Sequence, residues 1–135
     1  MKEELFMSNK KSVLEVVEKY KQLVNTQDRA LFDEVFSMND NCNMIAITRH
    51  FQGRESIYHD FLIGAIQKNY SFIELISDAI DIYEINDELI NVVFKYHTDC
   101  IKRDTNGSYG ISGLETQVMI KENGEWKILH IHYSK

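Results

Sequence analysis

Apolar residues at Val13, Val16, Val17, Tyr20, Leu23 and Val24 recur at the three- and four-residue spacing of a helix, and predict one buried stripe over residues 11–25. Asn25 and Thr26 interrupt it. Asp28 is placed to cap a second helix whose stripe carries Leu31, Phe32, Val35 and Phe36. The stretch MNDNCN marks a loop, and NMIAITR, residues 43–49, reads as a strand because branched apolar side chains dominate it. GRESIYHDFLIGAI then opens a third helix with Ile57, Phe61 and Ala65 on one side; Gly64 weakens it by about 1 kcal/mol relative to alanine. Everything after Tyr70 reads as sheet, with long segments at 71–85, 88–103 and 110–122 and a shorter one at 125–133. Asn86-Asp87, Asn106-Gly107 and Asn123-Gly124 separate them, and Asn-Gly is a hairpin signal because both residues tolerate positive φ. The pattern predicts an α+β fold: three N-terminal helices packed on one side of a strongly curved antiparallel sheet, in one domain spanning residues 1–135.

Composition narrows the partners. The net charge of −6, with no Lys/Arg cluster, argues against nucleic acid and anionic membrane surfaces. The N-terminal MKEELFMSNKK lacks the apolar run of a signal peptide, and nothing reaches transmembrane length. Cys42 and Cys100 lack paired metal or redox spacing and read as reduced, buried thiols, which fits a cytoplasmic location. No phosphate loop, nucleophile elbow or dinucleotide fingerprint appears, so no cofactor is expected.

Four features together carry a family resemblance: VVEKYKQLVNTQD at the first helix, FQGRESI at the entry to the third, GLETQVMIKENGEWKILHIHYS at the C-terminus, and the order helix, helix, strand, helix, long strands. The chain resembles the SnoaL-like branch of the nuclear-transport-factor-2-like superfamily. Its C-terminal stretch is similar to the association domain of calcium/calmodulin-dependent protein kinase II. Tyr20 and the aromatic residue near the C-terminus extend the likeness to ketosteroid isomerase. The resemblance implies a cone-shaped fold with a helix-lined cavity, and activities ranging from isomerase and dehydratase to none.

Candidate residues follow. Along the last strand Trp126, Ile128, His130 and His132 share one face by alternation, and Lys127, Leu129, Ile131 and Tyr133 share the other. The resemblance turns Leu129, Ile131 and Tyr133 towards the cavity and leaves both histidines on the outer face near an oligomer contact. They are read as structural there, with no metal expected. Tyr20 falls where ketosteroid isomerase keeps its oxyanion-stabilising tyrosine, and is expected to line the cavity as a ligand-binding or catalytic donor. His97 and Asp99 alternate away from the apolar face of Ile90, Val92 and Phe94, which by itself sends them to solvent or a partner. The resemblance instead turns His97 inward beside Gln117, as general base, with Asp99 orienting it. Glu115 and Gln117 are expected to contact ligand. Gln117 and Tyr133 occupy places where the kinase association domain has arginines, which implies a neutral polar ligand rather than an acid. The stretch NMIAI has no carboxylate where ketosteroid isomerase has its base.

The expected function is binding of a small, mostly apolar ligand with polar groups in an internal cavity. Alternatives are a cofactor-free isomerase or dehydratase acting by proton abstraction next to a carbonyl, and a homo-oligomerising association module. A homodimer through the outer sheet face is expected because the last strand is apolar on both faces.

Overall fold

The structure, a computed structural model, describes residues 2–135; Met1, the first residue of the N-terminal segment and of the 1–135 domain, lies outside the described residues. Helix α1 spans Lys2–Thr26, nine residues longer at its start than the apolar stripe predicts. That added part is mostly solvent-facing, but Asn9 is buried and its Oδ1 accepts a hydrogen bond of 3.3 Å from Trp126 Nε1. Helix α2 spans Arg29–Val35, and Asp28 caps it as the sequence predicts, its Oδ1 accepting from the Ala30 N–H at 3.0 Å. The predicted strand at 43–49 turns back on itself. Strands β1, Asn43–Ile45, and β2, His50–Gln52, form a short hairpin closed by the Ala46 N–H on the Arg49 carbonyl at 2.8 Å.

Helix α3, Arg54–Ser56, runs on into a π-helix, Ile57–Gln67. The wider i→i+5 turn shifts the buried set from the predicted Ile57, Phe61 and Ala65 to Ile57, Phe61, Leu62 and Ile66. Arg54 fixes the entry: its guanidinium donates to the carbonyls of Phe36 and Ser37, each at 2.8 Å, and to Asp33 at 2.7 Å. The arginine of the FQGRESI stretch therefore ties the end of α2 to the start of α3.

The rest is sheet: β3 Tyr70–Asn86, β4 Leu89–Lys102, β5 Ser108–Tyr109, β6 Ser112–Glu122 and β7 Glu125–Tyr133. The spatial order is β2-β1-β7-β6-β4-β3, with β5 appended to β4. The β3–β4–β6–β7 meander is antiparallel throughout, whereas β1 joins the free edge of β7 in parallel. At the Asn123-Gly124 turn both residues take positive φ, 52° and 79°. Asn86 instead turns the chain with its side chain, whose Oδ1 accepts from the Glu88 N–H at 2.8 Å.

The core lies between the helices and one face of the sheet, where Ile90, Val92, Phe94 and Tyr96 of β4 are buried in alternation. Elsewhere the strand register shifts at four places, two of which bear on the site. One leaves Asp78 of β3 unpaired between Ser77 and Ala79; the other leaves Leu129 of β7 without a partner, since Met119 pairs with Ile128 and Val118 with His130. Among the described residues no helix is long and apolar enough to cross a membrane.

Candidate functional site

A cavity of about 230 Å³ lies under α1, walled by the π-helix and the inner face of the curved sheet. Tyr20 enters from α1, Phe61 and Ala65 from the π-helix, Ile73 and Leu75 from β3, Tyr96 and Thr98 from β4, Glu115 from β6 and Tyr133 from β7. This volume is below the roughly 300–1,000 Å³ of drug-sized sites, so a single ring or its equivalent fills it. Among the described residues no lysine, arginine or histidine side chain lines it.

Glu115 is the chemical centre. Register sets it opposite Phe94 on one side and Tyr133 on the other, both of which face inward. It is only 3% exposed. Its Oε2 accepts a hydrogen bond of 2.7 Å from Gln117 Nε2, two residues along the same face. Burial pushes the Glu115 carboxyl up to about 8, and the Gln117 hydrogen bond pulls weakly the other way. Near neutral pH the group is mostly a neutral acid, with Oε1 free of protein hydrogen bonds. The buried Gln117 Oε1 likewise has no partner.

Three tyrosines surround this carboxyl. Tyr20 is fully buried, and packs edge-on to Phe36 with ring centroids 6.2 Å apart. Burial raises its phenol well above the usual value, and the neighbouring Glu115 adds to the shift. Tyr96 and Tyr133 meet at 6.1 Å, nearly perpendicular, and burial raises both phenols, that of Tyr96 to about 12. The Tyr96 hydroxyl donates to the Ser134 carbonyl at 2.8 Å. Gly113 makes that contact accessible: a β-carbon on it would sit 1.9 Å from the same carbonyl oxygen, so any side chain there displaces the C-terminal segment.

The other expected site residues lie elsewhere. Gln117 and Ile131 are buried in the core beside the cavity, and neither forms its wall. Leu129, expected on the Ile131–Tyr133 face, is the bulge residue of β7; the bulge puts the buried Trp126 and Ile128 on the inner face with Ile131. His97 and Asp99 lie on the face of β4 opposite the cavity, in place of the inward position that the resemblance implied for His97. The unbroken alternation from Ile90 to Cys100 sends them outward. His97 Nδ1 is 2.8 Å from Asp78, the bulged residue of β3, so Asp78 rather than Asp99 is its hydrogen-bond partner. That bond raises the imidazole above its usual value.

His130 also lies outside the cavity, where its Nδ1 meets Asn43 Oδ1 at 2.8 Å and burial lowers its basicity. His50 reaches the same oxygen at 3.1 Å. Among the described residues no group of three or more His, Cys, Asp or Glu converges as a metal site, and both cysteines are free and buried. Sequence reasoning missed Tyr96 and Thr98 as wall residues. The alternation through Ile90, Val92 and Phe94 carried that signal, because it continues onto both.

The profile of the SnoaL-like domain matches residues 13–135. The chain belongs to the SnoaL-like domain family. Among curated proteins none matches the sequence. This SnoaL-like chain is similar in structure to a nuclear transport factor 2 (NTF2-like) superfamily protein from Salmonella enterica serovar Typhimurium, with 25% identity over 96% of this chain and 92% of that one, at a TM-score of 0.91. It is similar to a putative scytalone dehydratase from Novosphingobium aromaticivorans, at 14% identity, 96% and 85% coverage and TM-score 0.84. A further likeness is to the CaMKII association domain of C. elegans, at 16% identity, 96% and 97% coverage and TM-score 0.72. The helices and strongly curled sheet are thus those of the NTF2-like cone.

The Glu115 environment makes the stability of this SnoaL-like domain pH-dependent. The folded state holds the Glu115 proton up to about 8, and the unfolded chain releases it near 4.5. The contribution is therefore fully present below 4.5 and is lost as pH rises through about 8. Glu115→Gln removes the titration. Between about pH 5 and 8 the stability of the variant relative to the parent is expected to rise by about 1.4 kcal/mol per pH unit, read by urea unfolding. Parallel pH curves for parent and variant would show that Glu115 is ionised in the folded protein.

Proposed function

We propose that this SnoaL-like domain binds a small, mostly apolar molecule bearing a hydroxyl or carbonyl group in the cavity under α1. The observation that carries this reading is a small aromatic cavity holding one fully buried carboxyl, Glu115, and no cation. A neutral carboxylic acid donates a hydrogen bond to a ligand oxygen, and Tyr20 and Tyr133 line the same cavity. An anionic group pushed against Glu115 would meet a buried acid without any counter-charge. Phenol, benzyl alcohol and 4-hydroxyacetophenone serve as probes in calorimetric titrations. At least one is expected to saturate the protein with a dissociation constant of about millimolar or tighter. Ala65→Phe, which fills the cavity from a partly exposed position, is expected to abolish binding and leave the thermal midpoint within a few degrees. Failure of every probe to bind the parent would end this reading.

A second reading, a cofactor-free isomerase or dehydratase, is favoured by the elevated position of Glu115. A proton-transfer group works best when it titrates near the working pH, and about 8 is close to it. In its ionised form Glu115 would take a proton from the carbon next to a ligand carbonyl. The electron pair would move onto the carbonyl oxygen, Tyr20 would donate a hydrogen bond to that oxygen, and the proton would return to a different carbon. His97 has no part in this step, because it lies on the far face of the sheet. In a panel of cyclic enones, turnover by the parent is expected to fall at least about 100-fold in Glu115→Gln. Undiminished turnover in that variant would remove Glu115 from the mechanism.

The outer face of the sheet supports a homodimer as partner. Val93, Thr116, Val118 and Ile120 lie half-buried there without a covering layer, and Leu114 is 54% exposed. Light scattering is expected to give twice the 15.9 kDa chain mass, and Val118→Lys at the centre of that face to give the single-chain mass. A parent that runs at single-chain mass would rule the dimer out.

A further inference from the structure

The cavity has a neighbour across Tyr70 and Tyr109. A second hollow of about 480 Å³ adjoins it and shares Asn69, Tyr70 and Tyr109 with its wall. Its remaining lining is Lys68, Lys102, Arg103 and Asp104. In a chain of net charge −6, three cations and one carboxylate are gathered in a hollow that shares part of its wall, including the stacked Tyr70 and Tyr109 rings, with a cavity lined by no cation among the described residues.

Arg103 stands out among the four arginines. Arg29 is paired with Asp33 and Glu55, Arg49 with Asp60, and Arg54 with Asp33. Arg103 makes no ion pair among the described residues. Its Nε donates to the Gln67 carbonyl at 2.7 Å, and its backbone N–H donates to the Asn69 carbonyl at 2.9 Å. These two bonds cap the end of the π-helix, and capping alone would account for an arginine at this position. Capping uses only Nε, however. Neither terminal nitrogen of the guanidinium has a partner among the described residues, and Nε already holds the fork in place. Lys102 Nζ lies 5.1 Å from the centre of the Tyr109 ring, and Lys68 carries no ion pair among the described residues. Lys68 is the C-cap residue of the π-helix through its backbone N–H, and neither lysine ammonium makes a hydrogen bond or ion pair among the described residues.

We infer that the ligand is an amphiphilic organic acid, whose apolar end fills the tyrosine-lined cavity and whose carboxylate is held in the neighbouring hollow by Arg103, Lys68 and Lys102. This rests on the cavity-binding reading above and adds a second, outer subsite to it. The two ends answer two different environments. Inside, Glu115 and the absence of cations exclude an anion. In the neighbouring hollow, a pre-positioned guanidinium fork with two adjacent ammonium groups favours one. A monoanion suits this hollow better than a phosphate dianion, because Asp104 lines it as well. The arrangement also differs from an inner arginine pocket, since the cations stand on the segment around Lys102 and at the end of the π-helix rather than on β6 or β7.

The test is a matched series of phenylalkanoic acids, from benzoate to 6-phenylhexanoate, each compared with the primary alcohol of the same length by calorimetry near neutral pH. The alcohols measure the cavity alone. Once the chain is long enough to reach the neighbouring hollow, the acid is expected to bind about tenfold more tightly than its alcohol, and high salt is expected to reduce that advantage. Arg103→Gln and, separately, the double variant Lys68→Ala/Lys102→Ala are expected to lower the acid's advantage to about twofold or less, without changing alcohol affinity. The double variant disturbs no hydrogen bond of the fold, so it remains informative if Arg103→Gln loosens the helix end. If alcohols bind and no acid of any length does better, this inference is overturned while the cavity reading stands. If neither series binds, both fall.

Discussion

A sheet that wraps around one helix must keep one row of side chains inward along strands of up to 17 residues, and everything else in this protein depends on how it does so. Strict alternation cannot hold a curved, twisted strand in phase with a core on one side. Here β4 keeps its phase from Ile90 to Cys100, and other strands of the sheet yield. β3 inserts Asp78 and β7 inserts Leu129, each shifting the inner row by one residue. The resulting concavity is deeper than α1 can fill. The space left over is bordered by Tyr20, Tyr96, Glu115 and Tyr133.

The same constraint explains what was legible in the sequence. The helix stripes and the Asp28 cap could be read directly, because helical spacing and capping chemistry are local. So could the hairpin at Asn123-Gly124, which records its φ values in its residue types. Tyr20 was legible as a buried aromatic from its place on the stripe, and as a cavity residue from the family resemblance. The inward or outward sense of the last strand was not. A bulge costs one residue and has no compositional mark, so counting by twos from Trp126 gives the wrong partner set beyond Ile128. At His97 the residues themselves carried the answer: the alternation of β4 sends it outward, and the family likeness alone turned it inward. Its partner Asp78 was hidden, because only a bulge on a different strand brings the two together.

Two other departures share a cause. The predicted strand at 43–49 splits into β1 and β2, and β1 then lies parallel to β7 instead of extending the meander. The strand propensity of NMIAITR is satisfied by either arrangement, and the choice is made by the unpaired edge of β7, more than eighty residues away in the chain. The third helix widens into π geometry, which trades Ala65 for Leu62 and Ile66 in the buried set. Ala65 thereby comes to line the cavity instead of filling the core.

Glu115 shows why the position of a charge counts for more than its presence. A carboxyl that is nearly inaccessible, supported by one amide hydrogen bond and without a cation in reach, is retained by the fold only as an acid near neutral pH. His97, with its imidazole paired to Asp78 at the surface, has the ingredients usually sought in a catalytic dyad and stands on the wrong side of the sheet to use them. The cationic side chains nearest the cavity line the neighbouring hollow, while phenols and one acid line the cavity itself. On the inference drawn above, a molecule matched to both hollows is itself asymmetric. On that reading the paired hollows select orientation as well as size, through side chains that the curved sheet and two helices bring together.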